Sequence, residues 1–242
     1  MHLIAFQLAA ALLVGGCSVH VGDDDDTAGI APTGAGTQRS YAADGFTRIE
    51  LAGSDTVEVR VGPGYSVRAE GAADVLNRLR IEKDGDTLEI GRKRNTVGTG
   101  KARILVTLPR LAGASMAGSG TIAVDRVDAD EFGAEVAGSG QLRLAQLQVG
   151  KLDVDIAGSG TLIAAAGTAQ SVEVDIVGSG DFDARPLVAS KAEVSIAGSG
   201  NVRATVNGRA EVQIMGSGDV DLGPGAQCEV SKMGSGNVRC AR

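Results

Sequence analysis

The residues able to carry acid–base, nucleophilic or metal chemistry are few, and most of them recur at fixed spacing. The two histidines, His2 and His20, both lie in the first 20 residues. A histidine general base or a His-ligated metal therefore has no place in the rest of the chain. Serines recur between glycines, as in Gly118-Ser119-Gly120. A nucleophile elbow, however, needs glycines two before and two after the serine, where Ala117 and Thr121 stand. Asp181, Asp183, Asp219 and Asp221 are the carboxylates that could pair for glycan cleavage. Asn201 and Asn237 hold the equivalent places in other repeats, which reads as a structural ladder instead. Thr99-Gly100-Lys101-Ala102 lacks the hydroxyl residue of a phosphate loop. Asp153, Glu173, Glu193, Glu211 and Glu229 each stand five residues before a recurring glycine. In a parallel stack they would form a column about 5 Å apart. Such a column is either a solvated face or a place where a cation or cationic partner relieves repulsion. No cofactor, catalytic residue or defined metal site is expected.

The elements that position these residues follow from one repeat. Gly-Ser-Gly recurs as Gly118/Gly120, Gly138/Gly140, Gly158/Gly160, Gly178/Gly180, Gly198/Gly200, Gly216/Gly218 and Gly234/Gly236, in steps of 20 and then 18 residues. A fixed period near 20 marks a solenoid. Aliphatic residues stand two before, four before and four after the first glycine, as in Ile156, Val154 and Leu162. Polar residues alternate with them, so the period is two and the elements are strands. The expected fold is all-β: a single-stranded parallel β-helix with coils of 18–20 residues. Both glycines of each repeat are expected at a sharp, positive-φ corner. An anion nest at the Gly-Ser-Gly amides is the functional alternative. The regular coils span 112–242. Ile49 to Val59 fits the same register with Asp55 in place of the last glycine, inside a less regular N-terminal β portion. Strands are expected at Tyr65–Ala69, Leu79–Glu82, Thr87–Ile90 and Arg103–Leu108. A helical turn is expected at Ala72–Asn77 and an exposed basic loop at Gly91–Lys101.

Composition agrees with a repeat held by aliphatic ladders. Of 242 residues, 43% are hydrophobic, 2% aromatic, and Trp is absent, so Val, Ile, Leu and Ala must build the core. With 23 basic against 30 acidic residues, the net charge is −7. A nucleic-acid groove needs clustered positive charge, so nucleic acid is not an expected partner.

Leu3 to Val14 is an apolar run broken by Gln7, too short to span a bilayer and of signal-peptide type. It leads into Leu13-Val14-Gly15-Gly16-Cys17, which resembles a bacterial lipobox. The resemblance implies removal of residues 1–16, a diacylglycerol on the Cys17 sulfur and an acyl chain on its new amine, with Ser18 favouring the outer membrane. No Lys or Arg precedes the run. Residues 17–43 carry Asp23 to Asp26 and a Pro/Gly/Thr stretch, the composition of a flexible tether. Cys228 and Cys240 lie six to either side of Gly234 in inward register. In an exported chain they are expected to form a disulfide.

The lipobox, tether, Phe46-Thr47-Arg48-Ile49-Glu50-Leu51 opening strand and serial Gly-Ser-Gly coils resemble the bacterial head GIN domain family, described as auto-transporter adhesins. The resemblance covers residues 44–242 and brings no catalytic residue with it. It implies a non-enzymatic, lipid-anchored β-solenoid of the cell envelope, acting in adhesion, display or scaffolding. The expected partners are the membrane, through the anchor, and a surface protein or glycan. A periplasmic structural or stress-linked lipoprotein is the first alternative, and a polysaccharide-active β-helix the second.

Overall fold

The computed structural model describes residues 29–93 and 98–241. Cys17, the signal peptide and the Asp23 to Asp26 run lie outside the described residues. The N-terminal portion contains β1 (Gln38–Tyr41), β2 (Arg48–Gly53), β3 (Thr56–Val61), β4 (Ser66–Glu70), α1 (Ala73–Asn77), β5 (Leu79–Asp84), β6 (Thr87–Arg92) and β7 (Arg103–Leu108). The regular part opens with β8 (Gly113–Gly118), β9 (Thr121–Val124), β10 (Val127–Gly138) and β11 (Gln141–Leu144). It continues through β12 (Leu147–Gly158), β13 (Thr161–Ala164), β14 (Gly167–Gly178), β15 (Asp181–Gly198) and β16 (Asn201–Val206). It ends with β17 (Gly208–Gly216), β18 (Asp219–Asp221), β19 (Ala226–Gly234) and β20 (Val238–Arg239).

Each coil lies on the next in parallel, one repeat out of step. Ile156 pairs with Val136 and Ile176, and Leu142 pairs with Ile122 and Leu162. The fold is therefore a parallel β-solenoid. The step shortens to 18 where Val194 pairs with Val212 and Val212 with Val230. Inward aliphatics stack in columns and are buried, among them Val154, Ile156, Leu162, Val174, Ile176 and Phe182. Burying each such side chain contributes about 1.5–3 kcal/mol. The columns also keep the register, since a one-residue slip would turn every apolar residue to water.

The two glycines of each repeat are required for different reasons. The first makes the positive-φ corner. Gly158 has φ +115°, and a Cβ there would lie 2.6 Å from the carbonyl oxygen of Gly138. The expectation of a positive-φ corner fails at the second glycines, Gly120, Gly140, Gly160, Gly180, Gly200, Gly218 and Gly236. None of them has a positive φ. They face the coil below at a point with no room for a side chain. A Cβ would lie 1.9 Å from Met116 Cε at Gly140, 2.4 Å from Val136 Cγ1 at Gly160 and 2.4 Å from Ile156 Cγ2 at Gly180. At Gly120 the obstacle is the Asp55 carbonyl oxygen, 2.5 Å away. At Gly200, Gly218 and Gly236 it is the carbonyl oxygen of the equivalent glycine one coil earlier, at 2.5, 2.3 and 2.0 Å. Crowding, and not backbone torsion, thus excludes side chains from the second position.

The N-terminal end departs from simple stacking. β2 pairs with β6 on one side and β8 on the other, and β3 lies between β7 and β9. The coil of residues 48–61 is thus wedged between one made later in the chain and the regular stack. The outer coil is closed by antiparallel edges: β5 on β6, β4 on β7, and β1 on β4. Ile30 N–H donates to the Ile81 carbonyl at 2.7 Å, and Tyr41 is buried. Order therefore begins well before residue 44, where a tether was expected to end. The tether composition marks low apolar content, but β1 gains its hydrogen bonds from β4, a partner the composition does not reveal.

Among the described residues Asp55 is the one buried charged residue of the core. Its carboxylate accepts from Arg92 Nε at 2.8 Å, from Arg92 Nη2, and from the Ala102 N–H at 2.7 Å. Arg92 also donates to the Val75 carbonyl at 3.0 Å. Expected as part of an exposed basic loop, Arg92 instead ends β6 and turns inward, because a buried carboxylate needs a paired charge. Arg94 lies outside the described residues, and Lys101 is exposed.

Candidate functional site

Stacked coils convert outward positions into columns. The acidic residues expected to align do so: Asp153, Glu173, Glu193, Glu211 and Glu229 are successive register partners. Repulsion is relieved from within at Asp153, Glu173, Glu211 and Glu229. Lys151 Nζ lies 2.6 Å from Asp153 Oδ1 and 2.8 Å from Glu173 Oε2. Both carboxylates raise the Lys151 ammonium above its ordinary range. Arg209 pairs with Glu229 at 3.1 Å, and Gln213 donates to Glu211 at 3.1 Å.

A second acidic column, not singled out in the sequence, runs beside the first. It contains Glu135, Asp155 and Asp175, and continues through Ser115 to Glu50, Glu89 and Glu82. Partial burial, then the charges of Glu135 and Asp175, raise the Asp155 carboxyl above its usual value. Glu89 is pushed up to about 7, first by burial and then by the hydrogen bond and charge of Glu82. The repeated acid three before the glycine was readable at 50, 135, 155 and 175. Glu82 and Glu89 were not, because they reach the column through the wedged coil. Between the two columns lies a groove of about 620 Å³ lined by Arg48, Arg110, Glu135, Lys151 and Asp155. Among the described residues no three His, Cys, Asp or Glu side chains are grouped to hold a metal ion.

The other candidate carboxylates are engaged with neighbouring side chains. Asn201 donates to Asp181 at 2.7 Å, and the Asn237 amide to Asp219 at 2.9 Å. Arg185 grips Asp183 through Nε at 2.9 Å and Nη2 at 2.6 Å, holding that carboxyl below its usual range. The Gly-Ser-Gly amides are also engaged: Ser159 N–H donates to Gly138 O, and Ser179 N–H to Gly158 O, both at 2.8 Å. The serine N–H groups thus form the coil-to-coil ladder and are not left for an anion. Cys228 and Cys240 are joined in a disulfide, with Cα atoms 6.1 Å apart. It closes a coil whose apolar residues are poorly covered, Val230 at 46% exposure and Met233 at 72%.

One groove differs from all these columns. On the other side of the bend in β10, β12 and β14, a depression of about 620 Å³ is lined by Arg110, Asp128, Asp130, Gln148, Thr168 and Gln170. Asp128, Gln148, Thr168 and Val188 are successive register partners along it. Its floor is formed by Val149 and Ala169, both buried.

Among the described residues no helix is long and apolar enough to cross a membrane. A comparison with curated proteins gives no match. Solved structures share the fold. A "putative adhesin" from Bacteroides fragilis aligns over 88% of this chain and 100% of its own, with a TM-score of 0.77 at 21% identity. Another from Parabacteroides distasonis aligns over 86% of this chain and 97% of its own, with a TM-score of 0.71 at 21% identity. A "putative lipid binding protein" from the same species aligns over 87% and 98%, with a TM-score of 0.68 at 22% identity. The family described as "putative auto-transporter adhesin, head GIN domain" matches residues 45–224, about three-quarters of the chain, and this protein belongs to it.

Proposed function

We propose that this chain is a non-enzymatic adhesion or display module of the cell envelope, tethered by lipid at Cys17 and binding through the outward columns of its solenoid. The observation that carries the reading is the long, regular array of surface side chains held on a closely packed stack. Repetition of this kind creates extended binding surfaces. Family membership supports the same reading. The carboxylates best spaced for hydrolysis are hydrogen-bonded or ion-paired to neighbouring side chains, which favours binding over catalysis. An anchor of more than one acyl chain would hold the module stably at a membrane. A cleavable sequence inserted between Asp26 and Thr27 tests the orientation. Cleavage by protease on intact cells is expected. Cleavage that occurs only after the outer membrane is permeabilised would place the module in the periplasm and leave a structural envelope role.

A further inference from the structure

We infer that the groove across β10, β12, β14 and the central part of β15 binds a neutral, linear polysaccharide lying along the solenoid axis. The inference deepens the adhesion reading and rests on it. The groove stands apart by what its side chains do not do. Arg110, Asp128, Asp130, Gln148, Thr168 and Gln170 line it. Among the described residues none of these side chains forms a hydrogen bond or ion pair within the chain. Elsewhere on the surface, outward polar columns repeatedly bond to themselves, as Asp181 does with Asn201 and Lys151 with Asp153 and Glu173. This groove is therefore an array of free donors and acceptors, repeated coil by coil.

The chemistry of the array selects the ligand class. A primary amide donates and accepts, a hydroxyl does both, a carboxylate accepts and a guanidinium donates. Vicinal hydroxyls of a sugar chain answer each of these. An extended peptide would seek a run of unpaired main chain, but the strands here pair with one another on both sides of the single positions Asp130, Gly150, Gln170 and Ser190, so no continuous edge is open. Asp128 and Asp130 at one end disfavour phosphate and uronate chains. The floor of Val149 and Ala169 suits the C–H face of a sugar ring. From Asp128 to Val188 the groove crosses coils spaced about 4.8 Å apart, roughly 14 Å in all. A linear polymer fits that shape better than a single sugar. No aromatic side chain lines the groove, so each sugar binds weakly, and retention must come from many contacts on one chain or many modules on one cell.

The test is binding of the full chain to an array of neutral linear glucans and mannans, uronate polymers and extended peptides. Binding to neutral polymers is expected, stronger for long than for short oligomers. A Gln148→Ala/Gln170→Ala double variant should bind at least about tenfold more weakly with an unchanged melting midpoint, while Asp44→Asn, exposed and outside every column, should bind as the parent does. Equal binding by the double variant overturns the inference. So do preference for uronates, capture by peptides alone, or no polysaccharide binding at all. Cells carrying the double variant separate this claim from the one beneath it. If they adhere as well as parent cells, the groove is wrong and adhesion stands. If cells lacking the chain adhere normally, the adhesion reading itself falls.

Discussion

Replacing Gly158 with alanine tests the reasoning about coil stacking at one atom. Its φ of +115° lies in a region that residues with a side chain rarely enter. Holding alanine there costs about 1–3 kcal/mol. The added methyl would also lie 2.6 Å from Gly138 O, the oxygen that accepts from Ser159 N–H at 2.8 Å. Relieving the clash means lengthening that ladder bond, worth roughly 0.5–1.5 kcal/mol. The expected loss is therefore about 1.5–4.5 kcal/mol. Equilibrium unfolding in guanidinium, followed by far-ultraviolet circular dichroism, measures it; the chain has no Trp to report by fluorescence. Ser159→Ala is the control. The hydroxyl is exposed and makes no bond within the described residues, so the change should stay within about 0.5 kcal/mol. If Gly158→Ala were as stable as Ser159→Ala, the repeated glycines would not be a demand of close stacking, and that account of the repeat would be wrong.

Three further outcomes follow from particular contacts. Replacing Cys228 and Cys240 together with serine should lower stability by about 2–3 kcal/mol, with faster hydrogen exchange confined to β19 and β20; unchanged exchange there would show that the bridge does not hold the last coil. Asp55→Ala leaves the Arg92 guanidinium without its carboxylate, and the loss should reach about 3 kcal/mol, read by denaturant midpoint; a change below about 1 kcal/mol would mean that Arg92 swings out to water. The Glu89 carboxyl is raised to about 7 in the folded chain against an ordinary 4.5. The folded chain therefore holds the extra proton between those values, and stability falls as pH rises from the lower value through the higher. After allowance for solvent screening, Glu89→Gln should gain about 1–2 kcal/mol in mildly alkaline buffer and little in acid below the ordinary carboxylate value; an equal effect in both would refute the carboxyl pairing.

The regular coils were legible because their signal is local. Residues two and four from each Gly-Ser-Gly name the inward face, and the period names the stacking partner, so Ile156 against Ile176 could be read directly. Cys228 and Cys240 fell in inward register for the same reason. Spacing did not separate the two glycines of the repeat, because Gly158 is held by its torsion and Gly160 by Val136 of the coil below, and both demands select the same residue. The N-terminal end was less legible. Ile49 to Val59 showed its register, but nothing local tells that residues 87–108 return to its far side. That order comes from long-range pairing of β6 and β7, and it hid both the Asp55–Arg92 pair and the extension of the second acidic column. The tether boundary was misplaced because β1 is a short edge strand whose order depends on β4. Lys151 was visible in the sequence, yet its grip on Asp153 and Glu173 depends on side-chain reach across two coils, which spacing alone does not supply.

Adherence of cells with and without this chain tests the central claim most directly. Cells lacking it should lose attachment to surfaces coated with neutral linear polysaccharide, and restoring the parent chain should return it. Equal attachment by both strains, with the module shown by protease to face the outside, would contradict the account.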